Sequence, residues 1–328
     1  MPRLIRRLEF FVVTFWAAVS INFLLPRMMP GDPIQQMMAR MKGQITGSRR
    51  HSLEVMLGLN THEPLWKQYI SYWGQVFRFD FGSSITYFPD SVTSVISIAI
   101  PWTLGLVGVT TILAFVLGTL LGAVAAWRRG GVLDSVLPPV FIVVGALPFF
   151  WVGLLFLYVF GVLLPWAPIG FGYDITAGQL SFNWQTISQI VSHALLPATV
   201  IVLTSIGGWI LTMRNTMIGV LSEDYVKMAR AKGLPSGRIM LQYASRNAIL
   251  PNLTGFAMSL GFVISGALLV ELVFTYPGVG YLLVQAVTGQ DYPLMQALFL
   301  LITAATLVSV LIADAVTYVL DPRTRGRA

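Results

Sequence analysis

Residues 91–127 carry no charged side chain, and neither do residues 135–173. Only Arg128, Arg129 and Asp134 lie between the two runs. About 20 apolar residues are enough to cross the hydrocarbon core of a bilayer. Each run is therefore long enough to hold one crossing plus an entry or exit segment. The whole chain is 55% hydrophobic and only 11% charged, against about 25% charged in ordinary soluble domains. These features predict an all-α polytopic membrane protein.

Six spans are expected. The first is the apolar run from Phe10, which follows Arg3, Arg6 and Arg7 and ends near Leu25. Ala18-Val19-Ser20 resembles a small-residue cleavage site, so a signal peptide is the competing reading. The continuation to Leu25 favours an uncleaved helix. Residues 26–99 form an external segment with mixed charges and turn formers such as Pro30-Gly31-Asp32-Pro33. The second span ends at Trp127. On it Ala114, Gly118, Gly122 and Ala126 recur every four residues, a small-residue strip that lets another helix approach closely. The third covers about residues 135–163, with a kink expected at Pro148. The fourth covers about residues 195–213, with Gly207-Gly208 in its middle. The fifth and sixth cover about residues 253–275 and 294–320, and a tail at 321–328 follows. Residues 100–320 thus make up the membrane core, interrupted by a polar loop at 214–252.

Orientation follows from Lys and Arg in the short loops. With both termini inside, fourteen of the 21 basic residues fall on the cytoplasmic side. The 3–4 and 5–6 loops contain none. The remaining seven lie in the external segment, which is longer than the roughly 60 residues over which the rule operates. The formal net charge of +7 then reflects loops facing anionic lipid rather than a nucleic-acid surface.

The polar loop is organised around Ser222–Pro251. Ser222 is placed to cap a helix, and Glu223 and Asp224 stand at its positive end. Lys227, Arg230 and Lys232 follow towards its negative end. Gly233 suits a left-handed residue after the helix, and Pro235 discourages continuation. Tyr225, Met228, Ala229 and Lys232 share a face, giving an apolar strip that ends in a cation, suited to a membrane surface or a partner's groove. A cytoplasmic loop that happens to be helical is the plainer alternative.

Asp224-Tyr225-Val226, Ala229-Arg230-Ala231-Lys232-Gly233-Leu234, Arg246-Asn247-Ala248 and Leu250-Pro251 together resemble the loop of binding-protein-dependent ABC importer permeases. The dipeptide/oligopeptide/nickel branch is most similar. One departure is Lys227, which stands where the wider consensus has Glu, and the peptide branch often carries a basic residue there. The resemblance continues through Gly31-Asp32-Pro33, Leu57-Gly58-Leu59, Asp80-Phe81-Gly82-Ser83-Ser84, Pro277-Gly278, Asp291-Tyr292-Pro293 and Asp321-Pro322-Arg323. It implies a bacterial-type cytoplasmic (inner) membrane location, a second homologous permease, two ATPase subunits and an extracytoplasmic solute-binding protein. It also implies that residues Ser222, Glu223, Asp224, Tyr225, Met228, Ala229, Arg230, Ala231, Lys232 and Gly233 couple to the ATPase. Peptides are the implied cargo, while nickel complexes, glutathione-like compounds and oligosaccharides are carried by relatives.

The chain itself offers no chemistry for driving transport. There is no Gly-x4-Gly-Lys-Ser/Thr phosphate loop, no His-Glu-x2-His and no Gly-x-Ser-x-Gly. There is no cysteine, and His51, His62 and His193 make no ligand spacing. The chain is thus expected to be a translocation subunit and not an enzyme, with no cofactor of its own, ATP and Mg belonging to partners. Glu271 and Asp314 interrupt apolar runs and are candidates for a pathway or gating role. An ion-coupled secondary transporter using one of them is the rival reading. Their position near span ends, where either can reach water, speaks against a substrate or proton site and for a structural or gating role.

Overall fold

In a computed structural model the described residues are 2–28, 63–174, 183–265 and 268–320. They are predominantly helical, and one isolated bridge pairs Ser83 with Ser91. In chain order the helices are α1 (Pro2–Met28), α2 (Leu65–Arg78), α3 (Val92–Thr103) and α4 (Val109–Trp127). They continue with α5 (Val132–Ala146), α6 (Phe149–Phe156), α7 (Trp184–Leu221) and α8 (Asp224–Ala231). The last four are α9 (Leu250–Ser265), α10 (Leu268–Val273), α11 (Val279–Thr288) and α12 (Tyr292–Leu320). A π-helical turn at Leu104–Gly108 joins α3 to α4, and another, Leu157–Leu163, follows α6.

Among the described residues, three helical stretches are long and apolar enough to cross a membrane: Val92–Trp127, Trp184–Leu221 and Tyr292–Val316. A fourth is formed by Val132–Ala146 and Phe149–Leu163 if these count as one broken span. Those two meet at 94°, a far larger change of direction than the kink expected of a third span at 135–163. The break falls at Leu147, whose backbone is extended, and Pro148, which caps α6. Proline disfavours helical backbone in the residue before it and supplies no N–H for the ladder.

The chain forms two compact units. The first comprises Met1–Thr103, Ile264–Leu268 and Pro277–Leu307, and the second Leu104–Val263, Leu269–Tyr276 and Val308–Ala328.

In the first unit α3, α11 and the start of α12 share a core of Val92, Ile96, Val279, Leu282, Leu294 and Leu298. Polar bonds tie this core to the 82–92 turn. Asp291, fully buried, caps α12 by accepting the Leu294 N–H at 3.2 Å. Its other oxygen accepts the Ser84 hydroxyl and, at 2.8 Å, the Thr86 N–H. Burial pushes the adjacent Tyr87 phenol upward, and Tyr281 and Asp291 reinforce the shift. Asp291→Ala would strand three donors at once. A buried donor left without an acceptor costs about 1–3 kcal/mol. Even with relaxation the variant should lose roughly 3 kcal/mol, read as a lowered Tm by tryptophan fluorescence. Asp291→Asn, which keeps one acceptor oxygen, should lose less.

In the second unit the small-residue strip of α4 does what its spacing predicts. A Cβ at Gly118 would stand 2.6 Å from Trp209 Cβ and 2.9 Å from the Ile206 carbonyl oxygen on α7. At Gly122 it would meet the Ile210 oxygen at 2.5 Å. The backbones of α4 and α7 are therefore packed with no room for a side chain between them. Gly207 plays the same part towards α5, where its Cβ would lie 2.9 Å from the Phe141 oxygen, whereas Gly208 faces open space. Asn252, fully buried on α9, donates to Thr119 Oγ1 at 2.9 Å and to the Trp209 oxygen at 3.1 Å. One amide thus links α9 to both α4 and α7.

Candidate functional site

The polar stretch after α7 folds as a short helix, a break and a second, partly π-helical segment. The first helix is α8, and it starts one residue later than the sequence suggests. Ser222 does not cap it: the Ser222 hydroxyl donates to the Gly219 oxygen at 2.6 Å and closes α7. Its backbone is already helical, so its side chain is turned towards the preceding turn. Glu223, in extended backbone, takes the N-cap position, and its side chain makes no capping bond.

Gly233 ends the helix at φ +72°, and its N–H reaches the Arg230 oxygen at 2.9 Å. Nothing lies within 4 Å of where a Cβ would be. Glycine is required here by the left-handed backbone and not by lack of space. Pro235 then starts a turn at Ser236–Arg238 that runs into π-helical Ile239–Ser245 and the turn Arg246–Ala248.

The anchoring face of α8 differs from the strip read in the sequence. Val226 and Ala229 are buried with Ile239, and Trp127, Val220, Leu221, Leu234 and Tyr243 pack around them. Tyr225 and Met228, expected on the same strip as Ala229, are 38% and 58% exposed. Lys232 is exposed as well. Val226 enters the sequence reading only within the Asp224-Tyr225-Val226 motif, because it lies off the Tyr225–Met228–Ala229 strip and gives no periodic signal by itself. Its partner Ile239 lies beyond two turns.

The rest of the loop holds α8 in place. Asn247 Nδ2 donates to the Tyr225 hydroxyl at 2.8 Å. The Arg230 guanidinium lies 5.9 Å from the centre of the Trp127 ring. Lys227 pairs with Asp224 at 2.9 Å, but both side chains are largely in solvent, where such pairs contribute little. Behind the second segment, Ala244 and Ala248 pack on Ala123, Ala126, Met213 and Met217. The segment is thereby held to the ends of α4 and α7. Arg214 is also tied down: its Nε donates to Asp134 Oδ1 at 2.5 Å, and Asp134 Oδ2 accepts the Gly130 N–H at 2.9 Å. The result is a short helix fixed on one side to α7 and the following segment, with Tyr225, Met228 and several cations left outward.

The two candidate acids in the apolar runs differ. Glu271 on α10 is fully buried, so its position near the end of the expected span does not bring it to water. Asp314 on α12 is half-buried.

Among the described residues the chain is a helical protein with membrane-length apolar helices, and it leaves one face of α8 exposed on a polar loop. Residues 118–326 match the binding-protein-dependent transport system inner membrane component family, and the chain belongs to it. The similarity extends beyond that region. A di/tripeptide transport system permease protein of Pseudomonas aeruginosa (strain UCBPP-PA14) is 31% identical over 98% of this chain and 97% of its own length. An oligopeptide transport system permease protein of Bacillus subtilis (strain 168) is 32% identical over 98% of both. A dipeptide transport system permease protein of Escherichia coli (strain K12) is 30% identical over 99% of this chain and 98% of its own length. The family is a multi-pass membrane component of a transporter and not its catalytic subunit.

Proposed function

We propose that this chain is one of two permease subunits of an ATP-driven ABC importer for di- and oligopeptides. The observation that carries this reading is the near full-length similarity to permease proteins of dipeptide, di/tripeptide and oligopeptide transport systems. Two ATPase subunits, which hold the ATP and Mg, drive it, and an extracytoplasmic solute-binding protein delivers the cargo. The chain crosses the cytoplasmic membrane six times with both termini inside. Its first span lies in residues 1–25, the external segment in 26–99 and the permease core in 100–320. The remainder, 321–328, is a cytoplasmic tail.

The loop at 214–252 faces the ATPase. ATP closes the ATPase pair, α8 moves with it, and the attached ends of α4 and α7 carry the motion into the spans. The anchoring of Val226 and Ala229 supports this step, because a helix packed on its own spans transmits displacement rather than absorbing it. Glu271 and Asp314 serve as pathway or gating groups.

The test is purification in mild detergent with mass spectrometry of what accompanies the chain. The expected result is a second permease and two ATPase chains, with peptide-stimulated ATP hydrolysis once the binding protein is added. A chain that purifies alone and moves solute under a proton gradient would overturn the reading.

A further inference from the structure

Helix α2 lies in a segment that composition places in water, yet its surface is divided into three strips. Tyr69, Tyr72 and Val76 pack on Val19 and Phe23 of α1. Trp66, Ile70, Trp73 and Phe77 recur at i, i+4, i+7 and i+11 and form a second, apolar strip. Trp66, Ile70 and Phe77 are 61%, 62% and 72% exposed. Lys67, Ser71, Gly74 and Arg78 repeat the same spacing one residue on and form a polar strip, all four exposed. A helix that met water around its free surface would have no reason to sort its side chains in this way. We infer that the Trp66–Phe77 strip faces the lipid of the outer leaflet, with α2 lying beside α1 inside the bilayer boundary.

Three observations identify lipid as the occupant. The first is continuity. Trp73 sits at the seam between the helices, 6.2 Å from Phe15 of α1 and 5.6 Å from Phe77. The apolar strip therefore runs on from α1, whose Val12, Val13, Trp16 and Ile21 are exposed. The second is direction. Arg27 Nη2 donates to Gln68 Oε1 at 2.9 Å, Phe23 meets Tyr69 and Tyr72, and Phe15 meets Trp73. As α1 is followed back from its outer end, α2 is followed forward, so α2 descends along α1. The third is chemistry. The strip holds two tryptophans, the residue type enriched at membrane interfaces. The stem of Lys67, at the outer end of α2, can carry its charge away from lipid to water.

The inference rests on α1 being a membrane span, as proposed above, and the test keeps the two apart. The chain has no cysteine, so single-cysteine variants accept one spin label each. The probes are Ile70→Cys, Phe77→Cys, Ser71→Cys and, on α1, Val13→Cys. Each is placed in the transporter assembled with cysteine-free partner subunits in phosphatidylethanolamine/phosphatidylglycerol bilayers. Collision with oxygen reports lipid, and collision with a water-soluble nickel chelate reports water. The expected result is oxygen preference at Ile70 and Phe77, nickel preference at Ser71, and Phe77 deeper than Ile70 by about 10 Å, seven residues at the helical rise.

Nickel access at Ile70 and Phe77 equal to that at Ser71 would mean a water-facing helix, and protection from both reagents a protein partner covering the strip. Either overturns the inference, and oxygen preference at Val13 would then leave the α1 span standing. Nickel access at Val13 as well would remove both. A reading that needs no label comes from Trp66→Phe. Quenching of tryptophan fluorescence by lipid brominated near the headgroup should fall relative to the parent chain, and unchanged quenching would overturn the inference.

Discussion

Met228→Asp is expected to stop peptide uptake while leaving the amount of folded chain in the membrane unchanged. Met228 is 58% exposed on α8, so the aspartate remains solvated in the isolated subunit and folding is little affected. On the proposed reading the same side chain enters a contact with the ATPase when the transporter assembles. An unpaired carboxylate forced into an apolar contact costs roughly 3 kcal/mol or more, which is about a hundredfold in docking affinity. Coupled ATP hydrolysis and uptake should fall together, and co-purified ATPase should be depleted. Ala229→Leu provides the contrast. Ala229 is buried against the chain's own Ile239 cluster, so the added bulk should lower the Tm of the subunit before any docking is measured. If Met228→Asp lowered the Tm and Ala229→Leu did not, the assignment of outward and anchoring faces would be reversed. Unchanged uptake with Met228→Asp would remove α8's outward face from the coupling step.

The second large effect is expected from Gly122→Leu, which should prevent the subunit from accumulating in folded form. The obstacle is backbone: the new Cβ would stand 2.5 Å from the Ile210 carbonyl oxygen and 2.9 Å from Met213 Cβ. Rotamer changes cannot relieve a clash with a carbonyl, so α4 and α7 must separate. Overpacking of a tight core ordinarily costs about 1–3 kcal/mol, and moving two long helices apart exceeds that range. The core of Ala123, Ala126, Met213 and Met217 that supports the α8 loop would open with it. Gly208→Ala tests the same side-chain addition without the contact. Nothing lies within 4 Å of its Cβ position, and alanine is favoured over glycine in a helix by about 1 kcal/mol. That variant should match or exceed the parent in thermal stability in the same tryptophan-fluorescence measurement.

These cases show which parts of the molecule were legible in the residues alone. The charge-free runs at 91–127 and 135–173 determined that the chain is a helical membrane protein, because the bilayer excludes charge and requires the backbone to satisfy itself. The four-residue spacing of Ala114, Gly118, Gly122 and Ala126 determined that one face of α4 would receive another helix, since helical periodicity is a local property. The left-handed turn at Gly233 was legible for the same reason: it depends on the backbone freedom of one residue. The ordered motifs of the polar loop were enough to indicate the family.

Tertiary structure decided what depended on partners distant in sequence. It selected α7 as the helix that fills the α4 strip, and it separated Gly207, in contact with Phe141, from Gly208, which faces open space. It turned Ser222 back to Gly219 and made Val226, not Tyr225 or Met228, the companion of Ala229. It brought Asp291 to Ser84 and Thr86, more than 200 residues away. It also paired α2 with α1, which leaves one strip of α2 apolar and unfilled. Periodicity states which residues share a face, but burial on that face is set by whichever distant surface closes over it.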